Sequence, residues 1–265
     1  TIAVVNQDYA WGRDSWNIFL TALRALKPDV EVVAEFFPKF GAPDFSTEIS
    51  RLQALRPDVI LSTSWGGDLD TFVQQAAQRG LANASTLVLP LAESSLQRLG
   101  NALPPGHIVG GRGDHYFLHP EKVDDPAFTA FVEEFEEKTG AYPIYPVFHM
   151  SQALAALKAG YEKAIEANGG DWPSKEQVAE GMEGLSFSGL GREVTIREDH
   201  QGLEDQLLGT TTRSDEYDFA VLENIMIFDA EDITTPVGQE SVSWLETLSP
   251  GFVDEVSVDT FDGAR

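Results

Sequence analysis

The amino-acid sequence predicts an α/β protein built on a doubly wound parallel sheet. Over the first 112 residues, short apolar runs alternate with amphipathic segments. Two junctions read alike, Lys27-Pro28-Asp29-Val30 and Arg56-Pro57-Asp58-Val59. In each, a cation suits a helix C-terminus, proline stops the helix, and a β-branched residue opens a strand. No repeat of solenoid period breaks the alternation. Strand and helix alternating at this spacing imply right-handed βαβ units, hence a parallel sheet.

The elements follow in order. Strands are expected over residues 2–6, 30–36, 59–62, 87–89 and 108–111. Between the first two, Trp16, Phe19, Leu20, Leu23 and Leu26 recur at three- and four-residue spacing, the apolar stripe of a helix. Ile49, Leu52 and Leu55 mark a second helix, and Leu69, Phe72, Val73, Ala76 and Ala77 a third. A short fourth is expected over 94–99. Beyond residue 112 the rhythm changes. Phe128, Phe131, Val132 and Phe135 predict an acidic amphipathic helix, and Met150, Leu154, Leu157, Tyr161 and Ile165 the stripe of a long one over 147–167. Val178, Met182 and Leu185 suggest another helix. A turn over 187–191 leads into a strand at 193–197, with further strands at 207–212 and 220–228, the last expected. From Thr234 the chain reads as loop-like and acidic. These later helices have no parallel sheet of their own on which to bury their stripes.

Composition narrows the function. Forty-three acidic residues against 18 basic ones give a net charge of −25, and only seven of the basic residues are lysine. Nucleic acid and anionic lipid are excluded as partners, since phosphate binding needs the opposite sign. Such a charge repels itself at low salt, whereas at 1 M the screening length falls to about 3 Å. A halophilic source and an ordinary acidic protein both remain open. Cysteine is absent, which fits an exported chain and removes disulfide and thiolate chemistry. No apolar run approaches a membrane span, so direct membrane insertion is not expected. Thr1 opens almost directly onto the first strand, as it would after leader removal or in a chain cut upstream.

In an open parallel sheet, ligands bind beyond the carboxyl ends of the strands. The loop after the first strand is Gln7-Asp8-Tyr9-Ala10-Trp11-Gly12, and that after the third is Thr63-Ser64-Trp65-Gly66-Gly67-Asp68. After the fourth comes Pro90-Leu91-Ala92-Glu93-Ser94. Two of these loops place tryptophan among small residues at equivalent positions, the make-up of a small-molecule pocket. The plainer reading makes Trp11 and Trp65 caps on the core. Catalytic patterns are weak. Asp114, His115 and His119 could be written as a metal site, but the stretch ends at Pro120 and reads as extended or loop, not as the helix such spacing needs. Ser62, Ser64 and Ser94 lie in no nucleophile elbow, and no glycine-rich phosphate loop follows a strand. Glu133, Glu134, Glu136 and Glu137 are a solvated helix face. No cofactor is called for.

Four stretches point to one family: 2–14 (IAVVNQDYAWGRD), 56–68 (RPDVILSTSWGGD), 107–120 and 187–201 (FSGLGREVTIREDHQ). Through residue 232 the chain resembles the branched-chain amino-acid-type solute-binding proteins of ABC transporters, with their type I periplasmic-binding fold. The resemblance implies two α/β lobes closing on a ligand, a membrane permease as partner, and a periplasmic or extracellular location, soluble or lipid-anchored. It implies no enzyme activity. The implied contacts are Tyr9, Trp11, Trp65, Gly66, Leu91, Glu93 and Ser151. Leu91 falls where relatives carry an acid for a ligand ammonium, and Ser151 where they carry an aromatic; both are departures. Relatives also begin with half of a first lobe before a segment like 2–14. The expected division is therefore a second lobe over 1–113, first-lobe helices and hairpin over 114–203, a return to the second lobe over 204–235, and an acidic tail over 236–265. In function the resemblance implies a receptor for an amino acid, amide or short carboxylate. The alternatives are a ligand-sensing domain of a regulator and, behind it, an α/β enzyme.

Overall fold

The computed structural model describes residues 1–111 and 125–263. Its first half is the expected alternation: β1 (Ile2–Val5), α1 (Ala10–Leu26), β2 (Val32–Phe36), α2 (Ser46–Leu55), β3 (Val59–Leu61), α3 (Gly66–Gln78), β4 (Thr86–Leu89), a 3-10 turn at Ala92–Ser95, α4 (Leu96–Leu99) and β5 (Ile108–Gly110). All four residues of β1 are buried, as strands covered on both faces must be. On one face Ala3, Val5, Ile60 and Leu87 meet Ile49 and Leu52 of α2 and Leu69, Phe72 and Val73 of α3. On the other, Ile2, Val4 and Leu61 meet Trp16 and Leu20 of α1. The sheet is thus wound on both faces, in the order β2-β1-β3-β4-β5, all parallel.

The second half adds α5 (Pro126–Thr139), α6 (Tyr145–Ala167), α7 (Lys175–Met182), β6 (Ser186–Ser188), β7 (Glu193–Ile196), β8 (Gly202–Leu203), β9 (Gln206–Thr212), β10 (Val221–Phe228), α8 (Ala230–Ile233), α9 (Ser241–Leu245) and β11 (Val258–Gly263). Local chemistry sets several boundaries. Asp125 accepts from the backbone N–H groups of Ala127 and Phe128, Pro126 opens α5, and Gly140 closes it in the left-handed region. Ser174 and Gln177 close a capping box at the start of α7. Strands β6, β7 and β8 form a small antiparallel sheet, while β9, β10 and β11 extend the main one antiparallel from β5.

Two expectations need correction. The stretch after Thr234 is no loop-like tail: it folds as α9, a 3-10 turn and β11, and β11, not the strand at 220–228, ends the sheet. The stripe of α5 is not left uncovered, because Phe128 stacks on Phe148 and both join the main core, with Phe131 and Val132 packed against it. The stripe of α6 does lie uncovered at Met150, Leu154 and Leu157. The helix buries Phe148, Gln152, Ala156, Gly160 and Ala164, while Met150 is 61% and Leu154 60% exposed. Small residues win that face because α7 comes close: a Cβ on Gly160 would lie 2.7 Å from Met182 Cγ, and one on Gly181 3.0 Å from the Gly160 carbonyl oxygen.

Candidate ligand-binding site

The loops after β1 and β3 are tied to each other by buried hydrogen bonds. Asn6 is fully buried; its amide donates to the Gly12 carbonyl at 2.8 Å and its oxygen accepts from the Thr63 N–H at 2.7 Å. Ser62 Oγ donates to the Val5 carbonyl at 2.6 Å, and the Ser15 and Thr63 hydroxyls lie 2.6 Å apart. Gly12 is required here, since a Cβ would come within 2.0 Å of the Gln7 carbonyl oxygen. These buried bonds fix two loops that would otherwise carry flexible polar backbone.

On this frame stand the aromatic side chains. Tyr9 and Trp65 are the N-cap residues of α1 and α3, both with extended backbone, and neither helix is capped by a side chain. Trp11 Nε1 donates to the Thr63 carbonyl at 3.0 Å, and Trp65 Nε1 to the Tyr9 hydroxyl at 2.7 Å. The structure therefore brings Tyr9, Trp11 and Trp65 together on one edge of the sheet. Trp11 remains 46% and Trp65 45% exposed, so neither ring is a core cap. Gly66 adjoins them with φ +60°, a backbone only glycine adopts without strain.

Phe40, in the loop after β2, was not anticipated. It packs edge-on to Tyr9 (5.5 Å, 76°) and tilted on Trp65 (5.9 Å). The signal was available: a large aromatic two residues past the proline that follows an expected strand, at the same sheet edge. Asp68 binds the loops together, accepting from Gln7 Nε2 and from the Gly41 N–H, each at 2.8 Å. Gln7 is itself buried, and its Oε1 has no hydrogen-bond partner among the described residues.

The other expected contacts lie differently. Leu91 and Glu93 are buried in the turn after β4, 5% and 1% exposed. Ser151 is on α6, where its hydroxyl accepts from the Leu190 N–H at 2.9 Å and so belongs to the packing of the small antiparallel sheet. Asp114, His115 and His119 lie outside the described residues, as does most of the 107–120 stretch. Among the described residues no three His, Asp or Glu side chains cluster as metal ligands, and no helix is long and apolar enough to cross a membrane.

A sequence profile of the periplasmic binding proteins matches residues 1–214. The chain belongs to that family. No curated protein matches it in sequence. Among solved structures, it is similar to an amino acid ABC transporter substrate-binding protein from Pseudomonas fluorescens, with 21% identity, TM-score 0.67, and 92% of this chain and 61% of that one covered. The leucine-, isoleucine-, valine-, threonine- and alanine-binding protein of Brucella ovis, in a closed conformation, gives 21%, 0.66, and 91% and 60%. A solute-binding protein of an ABC transporter from R. palustris, in complex with 4-hydroxybenzoate, gives 19%, 0.69, and 90% and 62%. Identities this low establish the fold alone, and the chain spans about 60% of the length of each of these three structures.

Proposed function

We propose that this chain is the ligand-binding part of an extracytoplasmic receptor that hands a small solute to the membrane permease of an ABC uptake transporter. The observation that carries it is the set of half-exposed aromatic side chains, held by buried hydrogen bonds at the carboxyl edge of a parallel sheet, in a member of the periplasmic binding proteins. Trp11, Trp65 and Tyr9 form the wall, the Gly66 backbone sits beside it, and Leu91 and Glu93 lie buried in the turn after β4. On α6, Ser151 accepts from the Leu190 N–H. Closure of two lobes over this wall seals the solute from water. The ligand class is an amino acid, amide or short carboxylate; the similar solved proteins include amino-acid-binding receptors and one in complex with 4-hydroxybenzoate. No bond is made or broken: the receptor binds and releases.

Titration calorimetry of the purified protein against leucine, glutamine, acetate and benzoate tests this. One of these should bind and be recovered chemically unchanged. Trp11→Ala should weaken that binding by about 2 kcal/mol, roughly thirtyfold, the cost of removing a central aromatic anchor. Wild-type affinity in both Trp11→Ala and Trp65→Ala would remove the wall from the binding site.

A further inference from the structure

We infer that Phe40 is a specificity-determining residue of this site, and that it selects ligands presenting a flat aromatic group over aliphatic ones. The inference rests on the edge being the binding site. Phe40 reaches the wall from a third loop, one that contributes no residue to the contacts expected from sequence. Its loop is positioned on purpose-built bonds: the Pro38 carbonyl accepts from the Asp8 N–H at 2.8 Å, and the Gly41 N–H donates to Asp68 at 2.8 Å. Gly41 turns the chain at φ +77°, with open space around it, so glycine serves the turn and not a close contact. The result is a ring that touches Tyr9 and Trp65 yet keeps 49% of its surface in water. A ring that served only the core would be covered.

The geometry selects the kind of ligand. Tyr9, Phe40 and Trp65 touch one another at centroid separations of 5.5 and 5.9 Å, so they leave no hole between them for a quaternary ammonium group. What they offer is a continuous surface of ring edges and tilted faces, which another ring fits in edge-to-face or offset contact. Arg13, the cation beside the wall, is held by Asp8 at 2.7 Å and lies over Phe37 at 4.3 Å. Selection therefore falls to ring contact and not to an ion pair. The first turns of α1 and α3 leave backbone N–H groups for a polar end of the ligand. Asp68 is a positioning residue: it touches the Phe40 loop and Gln7, not the ring surface.

The test measures the ratio of dissociation constants for leucine and benzoate by calorimetry, in wild type, Phe40→Ala, Phe40→Trp and Asp68→Ala. Wild type should favour benzoate. Phe40→Ala should lower that preference by about tenfold through weaker benzoate binding, while leucine changes little. Phe40→Trp should retain the preference. Asp68→Ala should lower it as Phe40→Ala does, whereas a merely structural role would weaken both ligands alike. A wild-type protein that binds leucine and not benzoate, or a Phe40→Ala variant with an unchanged ratio, overturns the inference and leaves the receptor reading standing. A wild-type protein that binds neither probe overturns the inference, and the wider panel then decides the receptor reading separately.

Discussion

The parallel end of the sheet and the helical body of α6 and α7 divide their side chains in opposite ways. Around β1, β3 and β4 the large apolar residues are inside: Ile49, Leu52, Ile60 and Phe72 have no exposed surface. On α6 the inside belongs mostly to small residues, Ala156, Gly160 and Ala164, and the large ones, Met150, Leu154 and Leu157, face out. A sheet covered by helices leaves a deep layer that only large side chains fill at interior density. Two helices at close approach leave no such layer, and their backbones meet over glycine and alanine. Hydrophobic pattern thus identifies an element in both regions but identifies its buried face only in the first.

The widest separation should come from truncating one residue on each face of α6. Phe148 is fully buried and stacks on Phe128 at 5.5 Å. Phe148→Ala should cost about 3–5 kcal/mol, the range for buried aromatics. Leu154→Ala should stay within about 0.5 kcal/mol of wild type, as exposed positions do. Urea denaturation of the two variants reads both numbers. Comparable losses would mean that Leu154 is covered and the two regions follow one rule.

The same contrast sets what the sequence could reveal. The five strands and the α-helices of the first half were legible because apolar spacing and the two Xaa-Pro-Asp-Val junctions point to the same elements. At the site, the loops after β1 and β3 announced Trp11 and Trp65 through position alone. Phe40 stayed hidden because its loop follows the edge strand β2 and carries Lys39 and Gly41, which read as an ordinary turn. Strand β11 was obscured by its own chemistry. In Val258-Asp-Thr-Phe-Asp-Gly the acids mask the alternation, and an edge strand with one paired side needs little apolar surface. On α6 the large side chains trace the stripe, whereas Gly160 and Gly181 line the contact with α7, which apolar spacing does not reveal.

Two glycines offer a smaller, sharper comparison. A Cβ at Gly12 would meet the Gln7 backbone oxygen at 2.0 Å, inside loops locked by Asn6 and Thr63. A Cβ at Gly160 would meet Met182 at 2.7 Å, but that neighbour is the middle of a flexible side chain. Gly12→Ala should therefore cost about 1–3 kcal/mol through strain that the backbone cannot relieve. Gly160→Ala should cost less, since roughly 1 kcal/mol of helix propensity offsets part of the repacking of Met182. Thermal melts rank the pair, and a more costly Gly160→Ala would show that the α6–α7 contact is the rigid one.

The smallest effect concerns the seam where the two regions meet. Tyr142, in the loop between α5 and α6, packs edge-on to Tyr217 at 5.5 Å and lies 6.0 Å from Phe219, both just ahead of β10. Burial, with Glu216 and Tyr142 adding to it, pushes the Tyr217 phenol up to about 12. Burial and the carboxylates of Glu136, Glu216 and Asp218 raise Tyr142 as well. A phenol whose folded pKa lies above its unfolded value near 10 holds its proton more tightly when folded. Its contribution is complete below the unfolded value and is lost as pH climbs through the window from about 10 to about 12. Allowing for water at the partly exposed ring, the loss is roughly 1 kcal/mol. Tyr217→Phe keeps the ring and removes the ionisation, so its denaturation midpoint should fall less steeply than that of wild type across that window. Parallel slopes in the two proteins would place the alkaline loss elsewhere and leave the seam without a titrating group of consequence.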